Sequence, residues 1–342
     1  MDNTAMKKIA LKAAVFGVVS IAVMLHRSAT KHIMITEASG VTVDRGTSGD
    51  AYKLLVNRDT GASGKGKLII PLSKSVSSDD IVLEDGYMDR ELMIHIDSRE
   101  DGFYMDNAVT TDLDIFDSAI CYNENGSGKV CLDFKLKDFY VNESTLTESS
   151  TIEIEFAKPS QKYDKIVLVN PVGGTDVEDA VSSKASVDVA LALKSIAEKD
   201  SDNNIRFFFT RTSDIDVDEQ KRVEAIRACE ADLVVEIATQ DEASTETEGI
   251  RCGYNDVFFT NRLTNAEFAD IIEKNCARKT GAKAIGLFPT DAKDRFIAES
   301  TVPGARIEVG RSGSRTLESS GYKKKIAEGI YDAVLEAFEE ME

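Results

Sequence analysis

Hydrophobic positions along this chain change their spacing from one region to the next. They run unbroken from Ala13 to Leu25, behind Lys7, Lys8 and Lys12. Extended back to Ile9, with Lys12 reaching to the interface, the run is long enough to cross a bilayer. Arg27 and Lys31 interrupt any small-residue cleavage site after it, so the pattern predicts an uncleaved signal anchor rather than a removed signal peptide. The basic flank puts the short tail in the cytoplasm and the bulk of the chain, after His32, outside the cell membrane.

From residue 33 to 158 the apolar positions come in short runs of β-formers: Ala51–Asn57, Gly66–Leu72, Glu91–Ile96, Lys129–Leu136 and Thr151–Phe156. Clusters of Gly, Asn, Asp and Ser separate them, and no stretch carries a sustained helical period. A β-rich domain, sandwich or twisted sheet, is predicted here. Cys121 and Cys131 lie symmetrically about Asn123-Glu124-Asn125-Gly126-Ser127-Gly128, which leaves open a disulfide across a hairpin or two ordinary strand residues. Cys229, Cys252 and Cys276 are widely spaced and read as packing residues.

After Lys158-Pro159-Ser160 the pattern alternates between strand and helix, which predicts α/β architecture. Strands are expected at Ile166–Val169, Ile205–Thr210, Asp232–Ile237, Val257–Thr260 and Pro303–Val309. Helices are expected at Lys184–Glu198, Asp218–Glu230, Asn265–Arg278 and Gly321–Phe338. The division is thus 1–32, tail and membrane anchor; 33–158, β-rich domain; 163–342, α/β domain. A formal charge of −19 disfavours nucleic acid and anionic lipid as partners, because phosphates would be repelled.

Local signatures in the last region, taken in order, carry a family resemblance. Lys165-Ile166-Val167-Leu168-Val169-Asn170-Pro171 followed by Gly173-Gly174-Thr175-Asp176 is similar to an opening strand and its D-P-G-H-G-G turn. Thr210-Arg211-Thr212-Ser213-Asp214 is similar to a T-R-x-x-D after the second strand. Arg222 and Ala231-Asp232 match a helix leading into the third strand, and Ile307-Glu308-Val309-Gly310 a strand bearing a catalytic glutamate. From Tyr163 to Phe338 the chain resembles the catalytic domain of zinc-dependent N-acetylmuramoyl-L-alanine amidases. The resemblance implies a mixed or parallel sheet with helices on both faces.

The family holds zinc through two histidines and a glutamate, and a further glutamate assists attack by the metal-bound water. At the ligand positions this chain has Gly173, Lys184 and Ala238; Glu308 alone remains, at the catalytic-base position. The three histidines, His26, His32 and His95, all precede this region. The resemblance therefore implies a family zinc cofactor for which this chain has no ligands: no metal and no other cofactor is expected. Lys184 is expected to pair with Glu308 in place of the metal. Two further charges, Glu236 and Arg306, lie two residues before Ala238 and Glu308 on their strands. Strand alternation makes them a salt-bridge pair if the strands are neighbours, or solvated strand ends if not.

The function this implies is a membrane-anchored, catalytically inactive amidase homologue that binds peptidoglycan or a protein of the wall machinery. The alternatives are an active peptidoglycan amidase, cleaving the bond between N-acetylmuramic acid and L-alanine with an arrangement not visible in the sequence, and a purely structural module.

Overall fold

The computed structural model describes residues 34–37, 51–62, 64–98, 100, 102–123, 128–174, 180–200, 202–240, 248–256 and 262–342. Residues 1–33, where the sequence places the anchor, and 257–260, where it places a strand, lie outside these. Among the described residues no helix is long and apolar enough to cross a membrane.

Residues 34–157 form two sheets. One, in the order β1-β5-β6-β9-β8-β2, joins Met34–Glu37 (β1), Ile81–Gly86 (β5), Glu91–Asp97 (β6), Lys129–Leu136 (β9), Phe116–Asn123 (β8) and Ala51–Lys53 (β2). The other, in the order β10-β11-β4-β7-β3, joins Val141–Leu146 (β10), Thr151–Ala157 (β11), Lys67–Pro71 (β4), Val109–Thr111 (β7) and Val56–Asn57 (β3). Leu68, Ile70, Ile152 and Ile154 of the second sheet share a core with Leu83, Leu92, Ile94, Leu132 and Phe134 of the first. The region is β-rich, as its turn-punctuated runs predict.

Cys121 and Cys131 are both free and buried. They lie on the paired strands β8 and β9, but Cys121 is opposite Leu132, and Tyr122 is opposite Cys131. That one-residue offset turns the two thiols to opposite faces of the sheet, since successive side chains alternate. Cys121 enters the sandwich core with Val130 and Leu132, so the hairpin disulfide does not form.

The third sheet has the order β13-β12-β14-β17-β15-β16: Ile205–Phe209 (β13), Lys165–Pro171 (β12), Leu233–Gln240 (β14), Gly304–Arg311 (β17), Ile250–Tyr254 (β15) and Ala284–Pro289 (β16). The pairs β12–β13, β12–β14, β14–β17 and β15–β16 are parallel, whereas β15 runs antiparallel to β17. It is a mixed sheet. Its helices are Ala180–Ala197 (α1), Glu219–Ala228 (α2), Asn265–Thr280 (α3), Arg295–Ala298 (α4), Arg315–Glu318 (α5) and Ser320–Met341 (α6).

Helices cover both faces. Val167, Val169, Phe209, Val235, Ile237 and Ile307 point into one core with α1, α3 and α6. The alternate residues Ile166, Leu168, Phe208 and Val234 point the other way, toward Ala225 and Ile226 of α2 and Phe296 and Ile297 of α4. Buried strands alternate faces even when both faces are apolar, so a single strand feeds two cores. Tyr87, Met88, Phe139 and Val141 from the β-rich region complete the second core. The Tyr87 hydroxyl donates to the Phe209 carbonyl at 2.9 Å and accepts from the Phe209 N–H at 3.0 Å. Since β13 is an edge strand, Tyr87 satisfies backbone groups that would otherwise face an open sheet edge.

Helix ends follow local chemistry. Asp218 caps α2 through the Lys221 N–H, and Thr264 and Glu267 form a reciprocal capping box at α3. Gly281 closes α3 at φ 74°, a left-handed conformation that glycine adopts without steric cost.

Candidate functional site

The face of the third sheet shared with α2 and α4 carries a continuous polar row near the carboxyl ends of its parallel strands. Thr210, immediately after β13, donates from its hydroxyl to Asn170 Oδ1 of β12 at 2.7 Å. Asn170 Nδ2 donates to Glu236 Oε1 of β14 at 2.7 Å. Arg306 Nη1 of β17 donates to Glu236 Oε2 at 2.7 Å and to Asp294 Oδ2 at 3.1 Å. Arg306 Nε lies 3.8 Å from Glu308 Oε1, and Arg251 Nε of β15 donates to Glu308 Oε2 at 2.6 Å. Register produces this order: Asn170 is opposite Glu236, Glu236 opposite Arg306, and Ala238 and Arg251 flank Glu308.

Two of the four charged residues singled out by sequence, Glu236 and Arg306, are a close ion pair on neighbouring strands. The pairing of Lys184 with Glu308 is not formed. Lys184 is exposed and takes part in no described ion pair, because α1 begins at Ala180 rather than at Lys184. Lys184 falls instead on the outward stripe of α1, with Asp188 and Leu191, one and two turns further on. It borders a separate cavity, of ≈ 390 Å³, with Leu317 and Lys323. Arg251 holds Glu308 instead, with its guanidinium 4.6 Å from the centre of the Phe288 ring. Arg251 gave no sequence signal, because Ile250–Tyr254 contains arginine, cysteine and glycine and does not read as a strand.

Burial pushes the Glu236 carboxyl up to about 8; the Arg306 guanidinium opposes that rise and the Asp294 carboxylate adds to it. Burial disfavours the charge of Arg306, but Glu236 and Asp294 outweigh it and leave the guanidinium more firmly protonated. Two carboxyl groups share one close cation, and a proton on Glu236 relieves their repulsion.

The turn after β12 is fixed from below by Arg211, which is 1% exposed. Its Nε donates to the Pro171 carbonyl at 2.8 Å, and its Nη2 donates to those of Val172 at 2.8 Å and Ser183 at 3.2 Å. This is the structural work of the T-R-x-x-D segment: Arg211 ties the end of β12 to the start of α1. Ser183 donates to Asp214 Oδ1 and accepts from the Gly174 N–H at 3.1 Å. Ser182 and Thr239 join their hydroxyls, binding α1 to the end of β14 beside Ala238.

These contacts close the space at the first ligand position. A Cβ on Gly173 would lie 2.5 Å from Ser183 Oγ and 2.6 Å from Ser183 Cα, and its φ of 125° suits glycine. Gly173 and Ala238 offer no side-chain donor, and Lys184 faces solvent. The residues at the three positions do not fit a zinc ion, which binds three nitrogen, sulfur or oxygen donors converging within about 2.3 Å. Among the described residues no group of three or more His, Cys, Asp or Glu is placed to hold a metal.

Beside Glu236, Arg306 and Glu308 opens a cavity of ≈ 440 Å³, walled by Val172, Arg222, Phe288, Lys293 and Phe296 among others. It can accept a small ligand with one apolar side and a few polar groups.

A family model described as N-acetylmuramoyl-L-alanine amidase, Amidase_3, matches residues 166–336, half of the chain. The comparison with curated proteins gives no match. Among solved structures, the catalytic domain of CwlV, an N-acetylmuramoyl-L-alanine amidase from Bacillus (Paenibacillus) polymyxa var. colistinus, is 22% identical with a TM-score of 0.46. It covers 51% of this chain and 98% of its own. An N-acetylmuramoyl-L-alanine amidase from Clostridium difficile 630 is 20% identical with a TM-score of 0.46, covering 51% and 97%. The CwlD amidase from Clostridioides difficile, solved in complex with the GerS lipoprotein, is 17% identical with a TM-score of 0.45, covering 51% and 98%. On the match to its second half, this chain belongs to the N-acetylmuramoyl-L-alanine amidase family.

Proposed function

We propose that this protein is a non-hydrolytic member of its family, which binds peptidoglycan fragments or a wall-machinery protein through the cavity beside Glu308. In this reading residues 1–32 anchor it in the cell membrane, residues 33–158 act as spacer or wall contact, and residues 163–342 carry the cavity outside the cell.

One observation supports the loss of hydrolysis above others: the family base position is held in an ion pair, with Arg251 Nε 2.6 Å from Glu308 Oε2. With one oxygen bonded to Arg251 and the other facing Arg306 at 3.8 Å, the carboxylate is occupied by guanidiniums rather than free to position a water. Gly173, Lys184 and Ala238 cannot assemble the metal that would acidify a water and polarise the amide. The reaction then loses both contributions, each of which supports catalysis by orders of magnitude.

Incubation of the full chain with insoluble peptidoglycan tests this directly. The protein should sediment with the polymer, release no peptides with a new L-alanine amino terminus, and bind no stoichiometric zinc in metal analysis. Release of such peptides, together with one zinc per chain that is lost on Glu308→Ala, would overturn the reading.

A further inference from the structure

We propose that the cavity beside Glu308 recognises a carboxylate-bearing ligand and that Arg222 of α2 receives the carboxylate; this rests on the binding reading above. Most charges around the cavity are engaged by partners; Asp291 and Lys293 on its rim are exposed, and Arg222 is the half-buried cation of the wall with no described counter-charge. Glu308 is held by Arg251, Glu236 and Asp294 by Arg306, and Glu219 by Arg295 at 3.4 Å. Arg222 lines the same cavity, and its Nε is buried without a hydrogen-bond partner. No described ion pair or hydrogen bond engages its guanidinium. Arg211, a neighbouring cation, is committed to the carbonyls of Pro171, Val172 and Ser183.

A buried donor without an acceptor is costly, and a charged one more so. Arg222 as a whole is only half-buried, so a ligand carboxylate that meets the guanidinium from the cavity would supply the counter-charge it lacks. Guanidinium and carboxylate match as planar forks with two parallel hydrogen bonds, which gives direction as well as charge. Phe288 and Phe296 offer apolar surface for the remainder of the ligand. The tendency of Glu236 to hold a proton, with its carboxyl pushed up to about 8, lowers the negative charge that an incoming anion would meet. The neighbouring carboxylates disfavour a doubly charged group such as phosphate more than a single carboxylate.

The deciding experiment is calorimetric titration of the full chain with N-acetylmuramoyl-L-alanine, which ends in a free carboxylate, and with its carboxamide. The acid should bind about tenfold more tightly at neutral pH and low salt. Arg222→Gln should bring the acid down to the affinity of the amide and leave the amide unchanged. Arg222→Lys, which keeps the charge and loses the fork, should retain only part of the preference. Equal affinities for acid and amide in the unaltered protein overturn the inference and leave the binding reading standing; that comparison needs no variant to fold. An acid preference that survives Arg222→Gln in a folded protein overturns the assignment to Arg222. If neither compound binds and insoluble peptidoglycan is not retained either, the binding reading itself fails.

Discussion

Strands β14 and β17 present two faces built from alternate residues, and the faces obey different rules. Toward α1, α3 and α6 they show Val235, Ile237, Ala305, Ile307 and Val309, all fully buried and apolar. Toward the cavity they show Glu236, Ala238, Arg306 and Glu308, of which both carboxylates are nearly as buried. The first face is stabilised by area removed from water, at roughly 25 cal/mol per Å². The second contains polar groups that repay their desolvation only as a set: three carboxyl groups, from Glu236, Asp294 and Glu308, around two guanidiniums, from Arg306 and Arg251. A polar cavity can thus stay open beside an apolar core when its carboxyl groups are held by arginines.

Adjacent residues of β17 separate the two contributions. Arg306→Met should cost about 3–5 kcal/mol, because it leaves the Asp294 carboxylate without its counter-charge and Glu236 Oε2 without its hydrogen-bond donor. Ile307→Ala, one position along and on the other face, should cost about 2–5 kcal/mol through lost burial and a cavity. Urea denaturation of the two variants measures both. Adding Glu236→Gln to Arg306→Met should recover part of the first loss and none of the second. A loss below about 1 kcal/mol for Arg306→Met would mean that the polar row is solvated rather than closed.

A pH series sharpens the same contrast with a smaller effect. The Glu236 carboxyl is raised from its ordinary 4.5 to about 8. A group raised on folding contributes stability that is complete below its unfolded value and is lost as pH rises through its folded value. Glu236 therefore favours the folded state at pH 4.5 and progressively less toward pH 8. Glu236→Gln, which cannot ionise, should gain stability relative to the unaltered protein across that window. Thermal melting at half-unit intervals would show the difference growing with pH; a constant offset would remove Glu236 as the titrating group.

The smallest effect is expected at Lys184. It lies on the outward stripe of α1 and pairs with nothing described, so Lys184→Ala should change stability by no more than about 0.5 kcal/mol. A loss above about 1.5 kcal/mol in the same denaturation assay would show that it supports the cleft after all.

Much of the second half was legible from spacing alone. The runs at Ile166–Val169, Ile205–Thr210, Asp232–Ile237 and Pro303–Val309 all fall within or within one residue of β12, β13, β14 and β17. They are legible because buried parallel strands need continuous apolar sequence. β15 and β16 were not legible: their glycines and proline lower strand propensity, and they are held by pairing with β17 and with each other. The absence of zinc donors at Gly173, Lys184 and Ala238 is a property of the sequence, fixed by residue type once the family turn is recognised. So is the facing of Glu236 and Arg306, given neighbouring strands, because side chains alternate with period two.

Which side chains gather around Glu308 was decided only by tertiary structure. Lys184 turned outward because the start of α1 is set by Ser182, Ser183 and Arg211, and each helical residue rotates the outward stripe by about 100°. Arg251 reached Glu308 because an antiparallel strand placed it directly opposite. Sequence fixes which chemistry each position can carry, through residue type and periodicity. Which cation meets which carboxylate depends on strand register and helix phase, and these are settled by packing between elements far apart in the chain.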